Sequence, residues 1–289
     1  MAFEYSILAA FGAMVCWGIG DFLIQRSTRK FGNVEALAFI GTIGSIGLLP
    51  FILQEIPLLN SIENLAFLIF IGLFTFLVAM LDFEALKQGK LSVVDVILEI
   101  ELPITVLLGI IFFRETLSMQ QIAFILLALF GIMLIAVKSF SKKNLLKKFE
   151  KGALIAFAGA VGMGLLNFFT SSASKQISPL MAIWFPWVIF TAVSVFYLWK
   201  KKKLRDLLRN ASKYPALVFG MGIFDTLAWI FFAFAVVNSA LSITIAITES
   251  YAAIAVILGV VFNRERISRL QLFGAAIALA ASFALGLIA

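Results

Sequence analysis

The stretch that decides the fold is residues 91–121, LSVVDVILEIELPITVLLGIIFFRETLSMQQ, because the chain contains it twice. Moved by 150 positions without a gap, it aligns with residues 241–271, LSITIAITESYAAIAVILGVVFNRERISRLQ. Thirteen of the 31 aligned positions are identical, where roughly three would be expected by chance in so apolar a composition. The chain is therefore built by internal duplication.

The composition is that of a membrane protein. Hydrophobic residues make up 62% of the 289 residues and charged residues 13%, a balance that a water-exposed surface does not tolerate. Ten apolar runs are long enough to cross a bilayer as helices. The predicted spans are 5–25, 34–53, 65–86, 91–113, 119–138, 152–173, 178–199, 214–237, 240–262 and 269–288. The sequence therefore predicts an all-α polytopic membrane protein with ten transmembrane helices.

The duplication also covers the early helices. Residues 17–22, WGIGDF, align with residues 163–168, MGLLNF, at a spacing of 146. Each half then holds five helices, and because five is odd, the second half enters the membrane from the opposite side. We predict a 5+5 inverted repeat with a first unit at 1–138, a basic linker at 139–151 and a second unit at 152–289.

The loop charges agree with this topology. In the ten-helix arrangement, 21 of the 23 Lys and Arg residues fall on the side opposite the N-terminus. The positive-inside rule places those loops in the cytoplasm and both termini outside. The net charge of +7 is thus interpreted as a topology and lipid-headgroup signal, with no nucleic-acid partner. No Lys or Arg precedes the first run, which is interpreted as a retained span rather than a signal peptide.

Enzymatic and metal-binding classes find little support. The chain has no histidine and one cysteine, Cys16, which excludes a histidine-based metal site and an intramolecular disulfide. Residues 18–21 spell GxGD and residues 215–217 spell PAL, as in intramembrane aspartyl proteases. That chemistry requires a first Asp upstream of GxGD, and here GxGD already lies in the first span. We predict no catalytic site, metal or cofactor.

Carboxyl groups inside the spans are the main candidate functional groups, because a charge in lipid is costly. Four lie near the cytoplasmic ends of their helices, where Lys and Arg of the loops can pair with them: Asp21, Asp82, Glu84 and Asp95. Four lie deeper: Glu99, Glu101, Asp225 and Glu249. For the shallow group a structural ion pair is favoured, and for the deep group a water-filled cavity with a substrate or proton role, against a buried hydrogen-bonding role.

The repeat ranks the deep carboxyls. Glu99 and Glu249 are equivalent positions and are the first choice. Glu101 is about 200° around the helix from Glu99 and is expected to face a neighbouring helix. A carboxyl held away from water and cations readily takes up a proton. Protons and a cationic cargo can therefore compete for one site.

Aromatic residues at the same depth are candidates for a pocket. Trp17, Trp229 and Tyr251 lie on helices that also carry acids, so stacking on a cationic or aromatic cargo and simple core packing both remain open. Trp184 and Trp187 flank a proline in the seventh span. For these two, packing and ligand contact are equally compatible with the sequence.

At these motifs the chain resembles the EamA-type transporters of the drug/metabolite transporter superfamily. Each half of such proteins opens with an aromatic-Gly pair followed by a short stretch and Phe, as in residues 17–22, and more loosely in residues 163–168. Each half closes with Glu, a Leu-Ser-type pair and Gln, as in residues 115–121 and 265–271. Asp21 departs from the pattern, since Asn is frequent there.

The resemblance implies a central cavity lined by the first, third and fourth helices of each half, with the fifth and tenth helices outside. It also implies that Glu115 and Glu265 are structural loop-end residues. The cargo of the family ranges over amino acids, cationic drugs, sugars and nucleotide derivatives.

From residues and resemblance together we expect a secondary transporter of the cytoplasmic membrane. It is expected to export a small cationic or zwitterionic molecule in exchange for protons, as a monomer or homodimer. The expected substrate- and proton-binding residues are Glu99, Glu249, Asp225, Trp17, Trp229, Tyr251, Asp21 and Asn167. An uptake permease or facilitator, or a scaffold or sensor without transport, remain alternatives.

Overall fold

Helices form nearly all of the chain that the structure describes, and no strand occurs in it. The structure, a computed structural model, describes residues 2–88, 98, 100–136, 145–263 and 268–289. The predicted all-α polytopic fold is confirmed. Within the described residues, eight apolar helical segments are long enough to cross a membrane, and one of them, 241–262, is interrupted by a turn. Two shorter apolar helices, Glu101–Phe112 and Met119–Ile135, accompany them.

The structure describes five helices and a short connecting turn in the first half. They are α1 (Ala2–Phe31), α2 (Asn33–Ile52), a 3₁₀ turn (Ile56–Asn60), α3 (Ile62–Gln88), α4 (Glu101–Phe112) and α5 (Met119–Ala136). A single residue, Gly32, joins α1 to α2 with a φ of 96°, which a residue without a Cβ adopts at no steric cost. Much of the predicted start of the fourth span, residues 91–97 and Glu99, lies outside the described residues.

The described part of the second half follows the same order and has a further short helix. Its helices are α6 (Leu145–Gln176), α7 (Pro179–Lys200), α8 (Leu204–Lys213), α9 (Pro215–Asn238), α10 (Leu241–Thr248), α11 (Tyr251–Asn263) and α12 (Arg269–Ile288). The basic segment after α7 was predicted as a loop, but it folds as α8. This short helix alternates Leu with charged residues and is tied down by Asn210, whose Nδ2 donates to Glu35 Oε2 over 2.8 Å.

The predicted ninth span, 240–262, is not one helix but two, α10 and α11, separated by a turn at Glu249 and Ser250. No proline causes this break. Ser250 Oγ lies 2.5 Å from Ser282 Oγ on α12 and also bonds the carbonyl of Ala246. Serine hydroxyls can satisfy backbone groups that a broken helix frees inside a membrane. The break leaves Glu249 in the middle of the molecule.

Each long helix packs mainly against a helix of the other half. The principal pairs are α1 with α9, α2 with α7, α3 with α6, and α5 with α12. In the sequence repeat, α6 is equivalent to α1 and α3 is equivalent to α9. The α1–α9 pair is therefore equivalent to the α6–α3 pair, and the packing follows the repeat. The core therefore forms between the halves rather than within each of them.

Glycine contacts show the same equivalence atom by atom. A Cβ on Gly18 would lie 2.7 Å from Ile254 and 3.2 Å from the Tyr251 carbonyl oxygen. A Cβ on the equivalent Gly164 would lie 2.7 Å from Ile104 and 3.2 Å from the carbonyl oxygen of Glu101. These two glycines let α1 approach α11, and α6 approach α4, at the same distance in each half.

Gly44→Ala is expected to destabilise the protein by about 1–3 kcal/mol, the range for overpacking in a well-packed core. Its Cβ would lie 2.5 Å from Cδ1 of Trp187 and 2.6 Å from Oγ1 of Thr226. Gly47→Ala, one turn away on α2, is the matched control, because its Cβ would meet nothing within 4 Å. Thermal unfolding of both variants in detergent checks this. Equal midpoints for the two would contradict the packing described here.

Glu115, at the corner between α4 and α5, caps the start of α10 in the other half. Its carboxylate accepts hydrogen bonds from the backbone N–H groups of Leu241 and Ser242 and from the Ser242 hydroxyl, the last over 2.6 Å. The carboxylate thus satisfies donors that a helix start leaves unpaired. Its described contacts are those of a structural residue. The equivalent Glu265 lies outside the described residues.

Glu115→Ala is expected to lower the free energy of unfolding by about 1.5–3 kcal/mol, the usual value of a hydrogen bond to a charged group. The loss arises because three donors at the start of α10 lose their acceptor. Unfolding in a denaturing detergent series measures it. Glu63→Ala, an exposed acid at the start of α3, serves as control and should leave the unfolding midpoint unchanged. A Glu115→Ala midpoint equal to wild type would contradict the capping role.

Candidate functional site

A central cavity of about 110 Å³ lies between the two halves. Its lining comes from α1, α2, α3, α4, α6, α7, α9 and the break between α10 and α11, and none of it from α5 or α12. The lining residues of α1 fall between Trp17 and Ile24, and those of α2 are Leu37 and Ile40. The cavity therefore runs from mid-depth toward the end of the bundle where α1 turns into α2.

The polar lining is strongly acidic. Five carboxyl side chains face the cavity: Asp21, Asp82, Glu101, Asp225 and Glu249. Asn167 and Thr75 are the neutral polar residues of the lining, and no Lys or Arg is among its described residues. A cavity with this lining attracts positive charge and disfavours anions.

Ten of the lining residues form five pairs of equivalent positions in the two halves. We call one set the aromatic lobe: Trp17, Asp21, Asp225, Trp229 and Tyr251. We call the equivalent set the opposite lobe: Met163, Asn167, Thr75, Ala79 and Glu101, in the same order. The cavity is thus lined by equivalent residues of the two halves, and the two sets surround the same space.

Edge-on and tilted rings make up the wall of the aromatic lobe. The ring centroids of Trp17 and Trp229 lie 5.1 Å apart at 90°, and those of Trp17 and Tyr251 lie 6.4 Å apart. Trp187 extends the wall, with its ring 5.8 Å from that of Trp229. Such edge-to-face packing holds the rings in fixed orientations.

Asp225 is the cavity carboxyl whose side chain has no described partner. It is only 8% exposed, and no hydrogen bond or ion pair of its side chain occurs among the described residues. Its backbone packs on Gly20, where a Cβ would lie 3.5 Å from the Asp225 nitrogen. Asp21 is its acidic neighbour and is hydrogen-bonded to the Tyr251 side chain. A buried carboxyl without a partner is costly unless a cation or a proton joins it.

Glu101 and Glu249 form a carboxyl pair at the break of the ninth span. The two side chains are hydrogen-bonded to each other, and Glu249 is 3% exposed. Because an ionised carboxylate has no donor, one of the two must carry the proton in that bond. The pair therefore places two carboxyls where one proton or one cation can be shared between them.

Most of the residues that the sequence singled out meet in this cavity. Seven of the eight expected site residues line it: Trp17, Asp21, Asn167, Asp225, Trp229, Glu249 and Tyr251. The eighth, Glu99, lies outside the described residues. The functional roles predicted for them stay predictions, since proximity alone assigns none.

Two other acids also line the cavity. Glu101 was expected to face a neighbouring helix, but it lines the cavity, because the element opposite it is the break at Glu249, which itself borders the cavity. Asp82 lines the cavity as well, and its expected ion pair near the cytoplasmic end stays a prediction. The repeat could have found Glu101, since position 101 is equivalent to the predicted pocket residue Tyr251.

The tryptophans that flank Pro186 have different surroundings. The Trp184 indole donates to the Ser45 carbonyl over 2.9 Å, which is a helix-packing contact. Trp187 lines the cavity, and its buried Nε1 has no hydrogen-bond partner among the described residues. Hydrophobic periodicity could not predict which of the two tryptophans lines the cavity, because both fall in one apolar run.

Comparison with known proteins agrees with this architecture. The model of the EamA-like transporter family matches the chain twice, at residues 4–137 and 150–287. Among solved structures, 29 chains match. One of them, titled only as a crystal structure of a protein, has a TM-score of 0.76 and 18% identity, covering 98% of each chain. No curated protein matches the sequence.

Proposed function

We propose that this chain, which belongs to the EamA-like transporter family, exports a small organic cation or zwitterion across the cytoplasmic membrane in exchange for protons. The family places it among membrane transporters of the drug/metabolite transporter superfamily. The observation that carries the proposal is the acidic cavity between the halves, in which five carboxyls and no described Lys or Arg surround one space.

The charge of the cavity supports a cationic cargo. A positively charged group entering it would gain attraction from Asp225 and Asp21 and would contact the faces of Trp17 and Trp229. Cation–π contact is worth about 2 kcal/mol when desolvated. An anion would meet several carboxyls and no compensating base among the described lining residues.

The carboxyl pair supports coupling to protons. The side chains of Glu101 and Glu249 meet in the cavity, and a proton shared between them would be released when a cation comes close to the pair. Protons returning from the far side would then favour release of the cargo. This competition couples two fluxes without any cofactor, as expected of a carrier in which both ligands use one cavity.

The location of the cavity supports export by alternating access. It extends toward the end of the bundle that carries the basic loops, which the positive-inside rule assigns to the cytoplasm. At the other end, Glu115 joins the first half to the start of α10. The proposed orientation has both termini outside and the two units, 1–138 and 152–289, as an inverted pair joined by the linker 139–151. The bilayer, the cargo and protons are the proposed partners, and the protein acts as a monomer or homodimer.

Proteoliposomes with a pH-sensitive dye inside test this function. Polyamines, basic and aromatic amino acids and quaternary ammonium compounds are added one at a time, and the proton movement that each one drives is recorded. A cargo that drives protons only through the wild-type protein would establish an antiporter and its cargo class.

The alternatives predict different results in the same assay. A facilitator would move a radiolabelled cargo without moving protons, and an uptake permease coupled to protons would move them in the same direction as the cargo. A membrane scaffold or sensor would move neither, and substitution of its cavity acids by Asn or Gln would leave its behaviour unchanged. Any of these results would refute proton-coupled export.

A further inference from the structure

The two lobes of the cavity occupy equivalent positions but differ in chemistry. In four of the five pairs, the residue of the aromatic lobe is the one that carries an aromatic ring or a negative charge. Trp17 and Trp229 of the aromatic lobe correspond to Met163 and Ala79, whose side chains are smaller or more flexible. The acids Asp21 and Asp225 correspond to the uncharged Asn167 and Thr75, so in these four pairs the rings and the negative charge fall in the aromatic lobe.

The fifth pair, Tyr251 and Glu101, places an acid in the opposite lobe, but this acid is already engaged. Its carboxyl is hydrogen-bonded to Glu249. Asp225, by contrast, has no side-chain partner in the described part of the chain, although it is more than nine-tenths buried. Asp225 is therefore the lining carboxyl without a described side-chain partner, and it lies in the aromatic lobe. Asp82, which lines the cavity from α3 outside the five pairs, is also engaged.

The aromatic lobe offers a cation rings and carboxylates but few neutral acceptors. A primary ammonium carries three N–H donors and is strongly hydrated, so it requires several acceptors when it leaves water. A quaternary ammonium has no donor to satisfy and is the kind of cation that aromatic cages bind. The lobe suits a weakly hydrated cation, and the opposite lobe, with Met163 and Ala79, suits an uncharged end.

We propose that the cavity binds its cargo in one fixed orientation. A single tertiary or quaternary ammonium lies against Asp225, Trp17 and Trp229, and an uncharged, largely apolar end lies in the opposite lobe. This inference rests on the proposed transport function for its biological meaning. It concerns binding, however, and binding can be measured without transport.

Quenching of tryptophan fluorescence in detergent or nanodiscs measures the affinities of three probes of similar length. They are an alkyl trimethylammonium, the matching bis-quaternary ammonium, and the neutral analogue with carbon in place of nitrogen. The monocation is expected to bind at least tenfold more tightly than either of the others. Trp229→Ala should weaken the monocation about tenfold, and Trp199→Phe, an exposed tryptophan at the end of α7, should not.

Asn167→Asp provides a test by gain of binding. This near-isosteric change gives the opposite lobe the acid that Asp21 supplies to the aromatic lobe, so the bis-quaternary probe should gain tenfold or more. Wild-type affinities equal for one and two charges, or an Asn167→Asp variant without preference for the dication, would overturn the fixed orientation.

The transport proposal is tested separately from the orientation. Binding with the stated selectivity but no proton flux would refute transport alone, and proton flux driven equally by dications would refute the orientation alone.

Discussion

Asp225→Asn is expected to lower the affinity for a cationic cargo about 30-fold or more. Removing one partner of a buried charge pair costs about 2–5 kcal/mol, and each 1.4 kcal/mol is a factor of ten in the dissociation constant. Asn has the same shape as Asp, so the cavity keeps its volume and its aromatic wall. Equilibrium binding of a labelled ammonium compound in detergent gives the ratio directly.

The control for this prediction is Asp206→Asn, which removes an acid from the surface helix α8. There Asp206 pairs with Arg209 over 2.7 Å at an exposed site, and its loss should change cargo affinity less than twofold, because exposed pairs contribute little. Asp225→Asn binding of wild-type strength would show that the cationic group is held elsewhere in the cavity.

Glu101→Gln and Glu249→Gln are each expected to reduce cargo-driven proton movement at least tenfold while cargo binding changes only a few-fold. Gln keeps a hydrogen bond with the remaining carboxylate but cannot release or take up the proton. The dye assay in liposomes reads the proton flux, and binding in detergent reads the affinity.

Comparison of the two kinds of variant separates coupling from binding. Asp225→Asn should lose both binding and flux, and the two Gln variants should lose flux with binding largely kept. Undiminished proton movement in both Gln variants would mean that the carboxyl pair does not carry the coupled proton. Loss of binding in them as strong as in Asp225→Asn would place the cationic group against the pair instead.

The sequence predicted the helical frame well, because the signals are long. Apolar runs of about 20 residues and a gapless 31-residue repeat survive small errors at their ends. The turn at Glu249 and Ser250 escaped prediction since its cause is a hydroxyl contact with Ser282 on another helix. No local pattern within residues 240–262 records such a contact.

The candidate site was predicted in part for the same reason. Depth along a helix identified Asp225 and Glu249, and both line the cavity. The facing direction of Glu101 could not be predicted from helix geometry alone, because the element opposite it is the break at Glu249 in the other half. Applying the repeat to the predicted pocket residues would have identified Glu101, because Glu101 is the position equivalent to Tyr251.

The exchange of packing partners between the halves has a consequence for biogenesis. α1, α2, α3 and α5 each find their main partner in a helix that the ribosome makes later. The first unit therefore enters the bilayer as a set of helices whose best surfaces are still uncovered. Its tertiary structure has to wait until translation of the second unit supplies α6, α7, α9 and α12. Folding of this protein is thus a late, nearly post-translational assembly of two halves.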